Sequence, residues 1–193
     1  MRALAALLLA SSLLLAACGD DDDDGNGAAT ATESATEATE EGPAGELTER
    51  GIGSVEVGAS TEQVKSAFGP PDAEREEVGC ELAGPNAPKV LRWNWDLDDG
   101  AVRLEFDAPA QTLISYRVST PSLPTANGVR VGDTYELLRQ SYGPALKDLQ
   151  LGAPATERVG LWYLGKLGKR WQLFDVAGGK VKTIQGGDIQ ICE

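Results

Sequence analysis

An internal repeat constrains the fold of this 193-residue chain more than any other feature. The segment Val55–Gly58 aligns with Val129–Gly132 at an offset of 74 residues. At the same offset further apolar and turn-forming positions coincide, namely Val64 with Leu138, Phe68 with Tyr142, Gly69 with Gly143 and Pro70 with Pro144. Similarity at a fixed offset indicates that one supersecondary unit occurs twice.

Local signals predict a short helix in each copy. Capping-box spacing occurs at Ser60 with Gln63 and at Asp133 with Glu136. These two caps differ by one position in the alignment, so the first residue of each helix is defined only to within one position. Glycine suits the left-handed position after a helix, and the following proline prevents continuation. Each helix is therefore expected to end at its Gly-Pro pair.

Alternation of apolar and polar residues predicts the strands that follow each helix. Residues 91–97 alternate strictly, Asp98–Gly100 has turn composition, and residues 102–106 and 113–118 form further strands. In the later copy, the corresponding strands are 161–164, 171–176 and 181–184. The sequence therefore predicts an α+β fold of two tandem repeats, 49–122 and 123–193, each a short helix packed on a three- or four-stranded antiparallel sheet.

The helix-start pattern is Val-x-Val-Gly, then Thr and an aliphatic residue, then aromatic-Gly-Pro. The matching residues are Val57, Gly58, Thr61, Val64, Phe68, Gly69 and Pro70, then Val131, Gly132, Thr134, Leu138, Tyr142, Gly143 and Pro144. The pattern resembles two related groups: the β-lactamase inhibitory proteins, with two tandem helix-plus-four-strand repeats, and the small lipoprotein of the outer-membrane barrel-assembly machine, with one. The resemblance implies the fold and names no partner, because fold does not determine function. The inhibitors carry two intra-repeat disulfides, a cysteine pattern that this chain lacks.

The N-terminus has the layout of an export signal. Met1 and Arg2 precede the apolar run Ala3–Ala17, whose fifteen residues are fewer than the roughly 20 that a spanning helix needs. The run ends in Leu15–Gly19, which resembles a bacterial lipobox. The resemblance implies a signal peptide at 1–17, cleavage after Ala17, and acyl chains on Cys18 that hold the protein on the outer face of a membrane. The alternative is an ordinary secretory signal with a chance cysteine.

Residues 18–48 are predicted to be a disordered acidic linker. Asp20–Asp24 is an unbroken acidic run, and the segment that follows has no aromatic residue. Residues 19–50 carry a net charge of −10, against −4 for residues 51–193. Such a segment cannot bury enough apolar surface to fold. Calcium binding by the five aspartates is the less favoured alternative, since a flexible run lacks preformed ligand geometry.

Two cysteines remain once Cys18 is lipidated. Cys80 and Cys192 both lie in the exported part, where disulfides persist. We expect them to form a disulfide that closes a loop of over 100 residues, worth roughly 4 kcal/mol. Free thiols, or a redox or metal role, are the alternatives. Zinc is disfavoured because two distant cysteines do not make a zinc site.

The sequence favours a protein that is not an enzyme and that uses no cofactor, metal or nucleic acid. It contains no histidine, and it lacks the nucleophile-elbow, phosphate-loop, Cys-x-x-Cys and dinucleotide motifs. Four carboxylates near one predicted hairpin could form a catalytic pair, namely Asp96, Asp98, Asp99 and Asp107. However, Asp-Asp-Gly is a common turn composition, and alternation places Asp96 on the solvent face.

Aromatic residues in the predicted strands suggest a binding surface. In the first copy, Trp93 and Trp95 are expected in the core. In the second copy, Leu161, Tyr163 and Phe174 are expected on the core face. The remaining large apolar residues would then form an exposed patch, Trp162, Leu164, Trp171 and Leu173. The alternative is a one-residue register change, which would bury all four.

The sequence thus favours a lipid-anchored, extracytoplasmic binding module with a protein or cell-envelope partner. Two alternatives remain: an inhibitor of an extracytoplasmic enzyme, and a structural component of envelope assembly.

Overall fold

The computed structural model describes residues 42–79, 87–150, 155–166 and 170–189. The predicted signal peptide 1–17 and most of the predicted linker 18–48 lie outside these ranges, as do Cys18, Cys80 and Cys192. Lipidation and the disulfide therefore stay predictions. The last two residues of the predicted linker, Leu47–Thr48, form strand β1, in which Leu47 is fully buried.

Two short helices begin and end close to the predicted positions. Helix α1 spans Thr61–Phe68, and Ser60 and Gln63 form the predicted capping box. Helix α2 spans Tyr135–Tyr142, and its cap is Thr134 rather than Asp133. The carboxylate of Asp133 instead accepts a hydrogen bond from the Arg130 amide, 2.7 Å away. Within the described ranges, neither helix is long and apolar enough to cross a membrane.

Each helix ends at its predicted glycine. Gly69 and Gly143 have φ of 75° and 52°, a region that side-chain-bearing residues rarely adopt. Their ψ values, −177° and −133°, are extended rather than left-handed helical. Beyond α2 the chain makes one 3₁₀ turn, Gly143–Ala145.

The strands of the described residues form two antiparallel sheets. The small sheet consists of β1, β2 (Gly51–Ile52) and β3 (Val55–Glu56). The large sheet contains β4 (Ala73–Val78), β5 (Lys89–Leu97), β6 (Gly100–Asp107), β7 (Thr112–Val118), β8 (Lys147–Asp148), β9 (Val159–Gly165), β10 (Trp171–Ala177) and β11 (Lys180–Gly187). Its spatial order is β4-β5-β6-β7-β11-β10-β9-β8.

The predicted fold class is wrong. Over the residues that the structure describes, the chain is mostly β, with two eight-residue helices, and its strands do not form two separate helix-covered sheets. Strand β7 pairs with β11, with Val118 opposite Ile184 and Tyr116 opposite Gly186. The pairing joins both sets of strands into one sheet and removes two edges that would otherwise expose unpaired backbone groups. The repeat boundaries, 49–122 and 123–193, stay predictions.

The core lies on one face of the large sheet. It is built from Trp93, Trp95, Val102, Leu104, Phe106, Tyr116 and Phe174, with Val64 and Phe68 of α1 and Leu138 of α2. The prediction that Trp93 and Trp95 are core residues is confirmed, since their exposed fractions are 1% and 3%. The small sheet contributes Leu47, Ile52 and Val55 to the same core. The Leu47 amide also donates to the Pro124 carbonyl at 2.8 Å. We call the opposite face the outer face.

Candidate binding surface

The outer face is defined by strand alternation. On β5, Trp93 and Trp95 point to the core, so Arg92 and Asn94 lie on the outer face. Cross-strand partners share a face, and the register therefore extends this assignment across the sheet. It places Arg103 and Glu105 of β6 opposite Asn94 and Arg92.

One cross-strand row carries two arginines side by side. Asn94, Arg103, Arg117 and Gln185 occupy directly opposed positions on β5, β6, β7 and β11. Arg103 Nε donates to Asn94 Oδ1 at 3.0 Å. Both arginines are exposed. Like charges at directly opposed positions destabilise a sheet, so this pair works against the fold.

The neighbouring arginine on the same face is neutralised. Arg92 forms ion pairs with Glu77 and, at 2.8 Å, with Glu105. Burial alone would lower the pKa of Arg92. The hydrogen bond and charge of Glu105, together with the charge of Glu77, outweigh burial, so the pKa of Arg92 is raised overall. Arg103 and Arg117 differ, because neither forms an ion pair within 4.0 Å in the described part of the chain. Within the described residues, the row therefore presents two positive charges that no ion pair compensates.

The outer face becomes apolar toward β9. The arginine row continues through Leu173 and Tyr163 to Lys147. Leu173, Trp171 and Leu149 form a buried cluster, and Leu161, Tyr163 and Ile189 pack against it half-buried. The Tyr163 and Trp171 rings meet edge to face with centroids 5.8 Å apart. The outer face thus carries exposed arginines on β6 and β7 and a half-buried tyrosine three strands further along, on β9. Arg and Tyr are both common in protein interfaces.

The four predicted patch residues do not share a face. Trp162 lies opposite Phe174 and packs with Leu164 against the main core. Trp171 and Leu173 lie on the outer face, where they are 2% and 4% exposed. The expectation that Leu161 and Tyr163 share the core face with Phe174 is wrong, because the β9–β10 register places them on the outer face. The four residues therefore form neither one exposed patch nor the arrangement that a one-residue register change would give. Whether any of the four contacts a partner stays a prediction.

The hairpin carboxylates do not assemble into a buried acid pair. Asp98 and Asp99 occupy the predicted turn between Leu97 and Gly100, and both are exposed. Asp96 is exposed, as alternation predicted, and Asp99 accepts a hydrogen bond from the Thr120 hydroxyl. Among the described residues, no group of three or more acidic or cysteine side chains is placed to hold a metal ion.

The sequence alone did not single out Arg103 and Arg117 as site residues. Alternation was sufficient to place each on a polar face, since Arg103 separates Val102 from Leu104 and Arg117 separates Tyr116 from Val118. Their juxtaposition required the β6–β7 register, which shifts by one residue at a bulge between Glu105 and Phe106. A bulge leaves no clear mark in an alternating sequence.

No protein family matches this chain, and no curated protein does. Two solved structures are similar at 12% identity. One, with a TM-score of 0.44, is an extracellular protein containing a SCP domain from Bacillus anthracis str. Ames, matched over 68% of this chain and 44% of that one. The chain thus covers less than half of that protein. The other, with a TM-score of 0.30, is a candidate β-lactamase inhibitor protein from Streptococcus mutans, matched over 76% of this chain and 91% of that one. Its description coincides with one group that the helix-start pattern resembles, but similarity at this level carries no argument about fold or function.

Proposed function

We propose that this protein is a non-enzymatic, lipid-anchored, extracytoplasmic binding module that holds an acidic protein segment on its outer face. The uncompensated pair Arg103 and Arg117 carries the proposal. A carboxylate bound between two guanidinium groups would relieve their repulsion and form charge-assisted hydrogen bonds, which are stronger than neutral ones.

The surroundings of the pair suit a protein partner. Asn94 and Gln185 flank the arginines and can hydrogen-bond to a peptide backbone. On the same row, the half-buried ring of Tyr163 offers apolar contact. Interfaces commonly combine Arg and Tyr in this way, because both bury large areas while keeping a polar group available.

The lipid anchor rests on Cys18 and the lipobox resemblance. An acidic linker would hold the folded part away from the lipid surface, with an extended reach on the order of 100 Å. The outer face would then be accessible to proteins of the cell envelope. An inhibitor of an extracytoplasmic enzyme would be one such module, distinguished by its partner.

The test compares two double variants of the full chain with equal charge changes. Arg103→Gln/Arg117→Gln removes the pair, whereas Arg139→Gln/Arg158→Gln removes two exposed arginines elsewhere. Affinity for a synthetic glutamate-rich peptide is measured by titration calorimetry, and partners from a cell-envelope extract are identified by cross-linking. We expect the first variant to lose at least about tenfold in peptide affinity, since charge-assisted hydrogen bonds contribute about 1.5–3 kcal/mol.

Equal loss in both double variants would show a non-specific charge effect and would refute the proposal. Binding to isolated wall or lipid material, unchanged by the substitutions, would also refute it. A single stoichiometric enzyme among the cross-linked proteins, inhibited by the wild-type chain, would identify the module as an inhibitor.

A further inference from the structure

A cavity of about 320 Å³ lies on the core side of the sheet, away from the outer face. Its walls come from four separate parts of the chain: β1, the loop at Ala126–Asn127, the end of α2 at Tyr142, and the adjoining ends of β9 and β10. The volume falls within the range of small-molecule sites. The part of the wall nearest the core is apolar, with Leu47 and Leu164.

One polar group in the wall is almost fully buried. Gln172 is 4% exposed, and its amide nitrogen Nε2 donates to the Leu47 carbonyl at 3.2 Å and to the Tyr116 hydroxyl at 3.3 Å. A carbonyl oxygen can only accept, so the orientation of this amide is fixed. Its oxygen, Oε1, accepts no hydrogen bond from a described residue. An amide oxygen accepts hydrogen bonds, and an N–H group of a ligand in the cavity could donate to it.

Two opposite charges border the cavity. Arg170 and Glu49 are both exposed, and both also line an adjoining open groove of about 580 Å³. Arg170 Nη2 donates to the Val57 carbonyl at 3.3 Å. In the described part of the chain, neither Arg170 nor Glu49 forms an ion pair within 4.0 Å. Among the described residues, each of the two charges is therefore without an ion-pair partner, although Arg50 and Asp188 line the same groove.

Tyr142 adds a ring and a hydroxyl to the cavity wall. It is half-buried, and its ring lies against Phe174 with centroids 5.4 Å apart. Burial raises the pKa of Tyr142; the Thr125 hydroxyl opposes this shift and the charge of Glu49 adds to it. The hydroxyl is thus neutral near pH 7 and can donate a hydrogen bond.

We propose that this cavity binds a free α-amino acid with an apolar side chain. The ligand's carboxylate pairs with Arg170, its ammonium group donates to Glu49 and to Oε1 of Gln172, and its side chain contacts Leu164 and the ring of Tyr142, which are both half-buried. Separated opposite charges select a zwitterion, because a ligand with a single charge leaves one of the two residues unpaired. The site is independent of the outer face.

The test is titration calorimetry of the full chain with L-leucine and two matched analogues. N-acetyl-leucine lacks the ammonium group, and leucinamide lacks the carboxylate. We expect leucine to bind and each analogue to bind at least about tenfold more weakly, a difference of about 1.4 kcal/mol. Arg170→Gln should reduce leucine affinity by a similar factor and leave leucinamide affinity unchanged.

Two further variants separate binding from folding. Ala126→Phe places a ring at an exposed position of the cavity wall and should abolish leucine binding without lowering the unfolding temperature. Arg158→Gln, at the opposite end of β9 from Gly165, is the charge-matched control and should bind leucine normally. The proposal is overturned if leucine shows no binding at about 10 mM, a very weak affinity. It is also overturned if leucinamide binds as tightly as leucine.

Discussion

Substitution of Gly186 by Ala tests the pairing of β7 with β11. Gly186 lies opposite Tyr116, and a methyl group there would lie 2.5 Å from both Cζ and the hydroxyl oxygen of that ring. Tyr116 cannot move aside easily, because it is 1% exposed and its hydroxyl donates to the Thr48 carbonyl at 2.6 Å. The same hydroxyl accepts from Gln172.

The expected loss of stability has two parts. Overpacking of a core position costs about 1–3 kcal/mol. Displacement of the ring would break two hydrogen bonds of about 1 kcal/mol each. Gly186→Ala should therefore lower the free energy of unfolding by about 3–5 kcal/mol, or the melting temperature by roughly 6–20 °C. Urea unfolding followed by tryptophan fluorescence measures the loss.

A double-mutant cycle makes this test specific. Tyr116→Leu removes the ring, so adding Gly186→Ala to it should cost less than about 1 kcal/mol more. Gly42→Ala is a matched control, since its methyl group would meet only Leu97, at an ordinary 3.5 Å. If Gly186→Ala is as stable as the wild type, or if its cost is unchanged in the Tyr116→Leu background, the β7–β11 register is wrong.

Three further changes have expected outcomes. Ser60→Ala removes the capping box of α1 and should lower the free energy of unfolding in urea by about 1 kcal/mol. An unchanged free energy of unfolding would show that the cap does not stabilise the fold. Trp171→Ala empties a position that is 2% exposed and should cost about 3–5 kcal/mol, more than Trp162→Ala at a half-buried site; the reverse order would contradict the β9–β10 register. Burial raises the pKa of Tyr116, so the unfolded state loses that proton first as pH rises above about 10, and wild-type stability should fall there. Tyr116→Phe should reduce this fall rather than remove it, because burial also raises the pKa of Tyr142. Thermal unfolding between pH 8 and 11 measures the difference; an equal fall in both proteins would assign it to other groups.

Local structure was largely predictable from the sequence. The helix cap at Ser60, the stops at Gly69 and Gly143, and the strand around Trp93 depend on interactions between residues close in the chain. The cap of α2 was misplaced by one residue because Asp133 and Thr134 are both good capping residues. The choice between them depends on the Arg130 amide, which binds Asp133.

The arrangement of the sheet was not predictable in the same way. Val118 and Ile184 are 66 residues apart, and either could have bordered a separate sheet. The register of β9 on β10 decides which residues share a face, and it places Leu161 and Tyr163 on the face opposite to the one expected for them. Arg103 and Arg117 come together only through such register, so the candidate surface could not be derived from alternation alone.

The central position of β11 has a consequence for how this chain can fold. It is the last of the described strands, yet it lies between β7 and β10. Until it is inserted, both of those neighbours present open edges that can recruit strands from other molecules. Contacts between distant residues also form slowly. A chain interrupted before Lys180 should therefore aggregate rather than form a smaller domain, because β7 and β10 would each keep an unpaired edge.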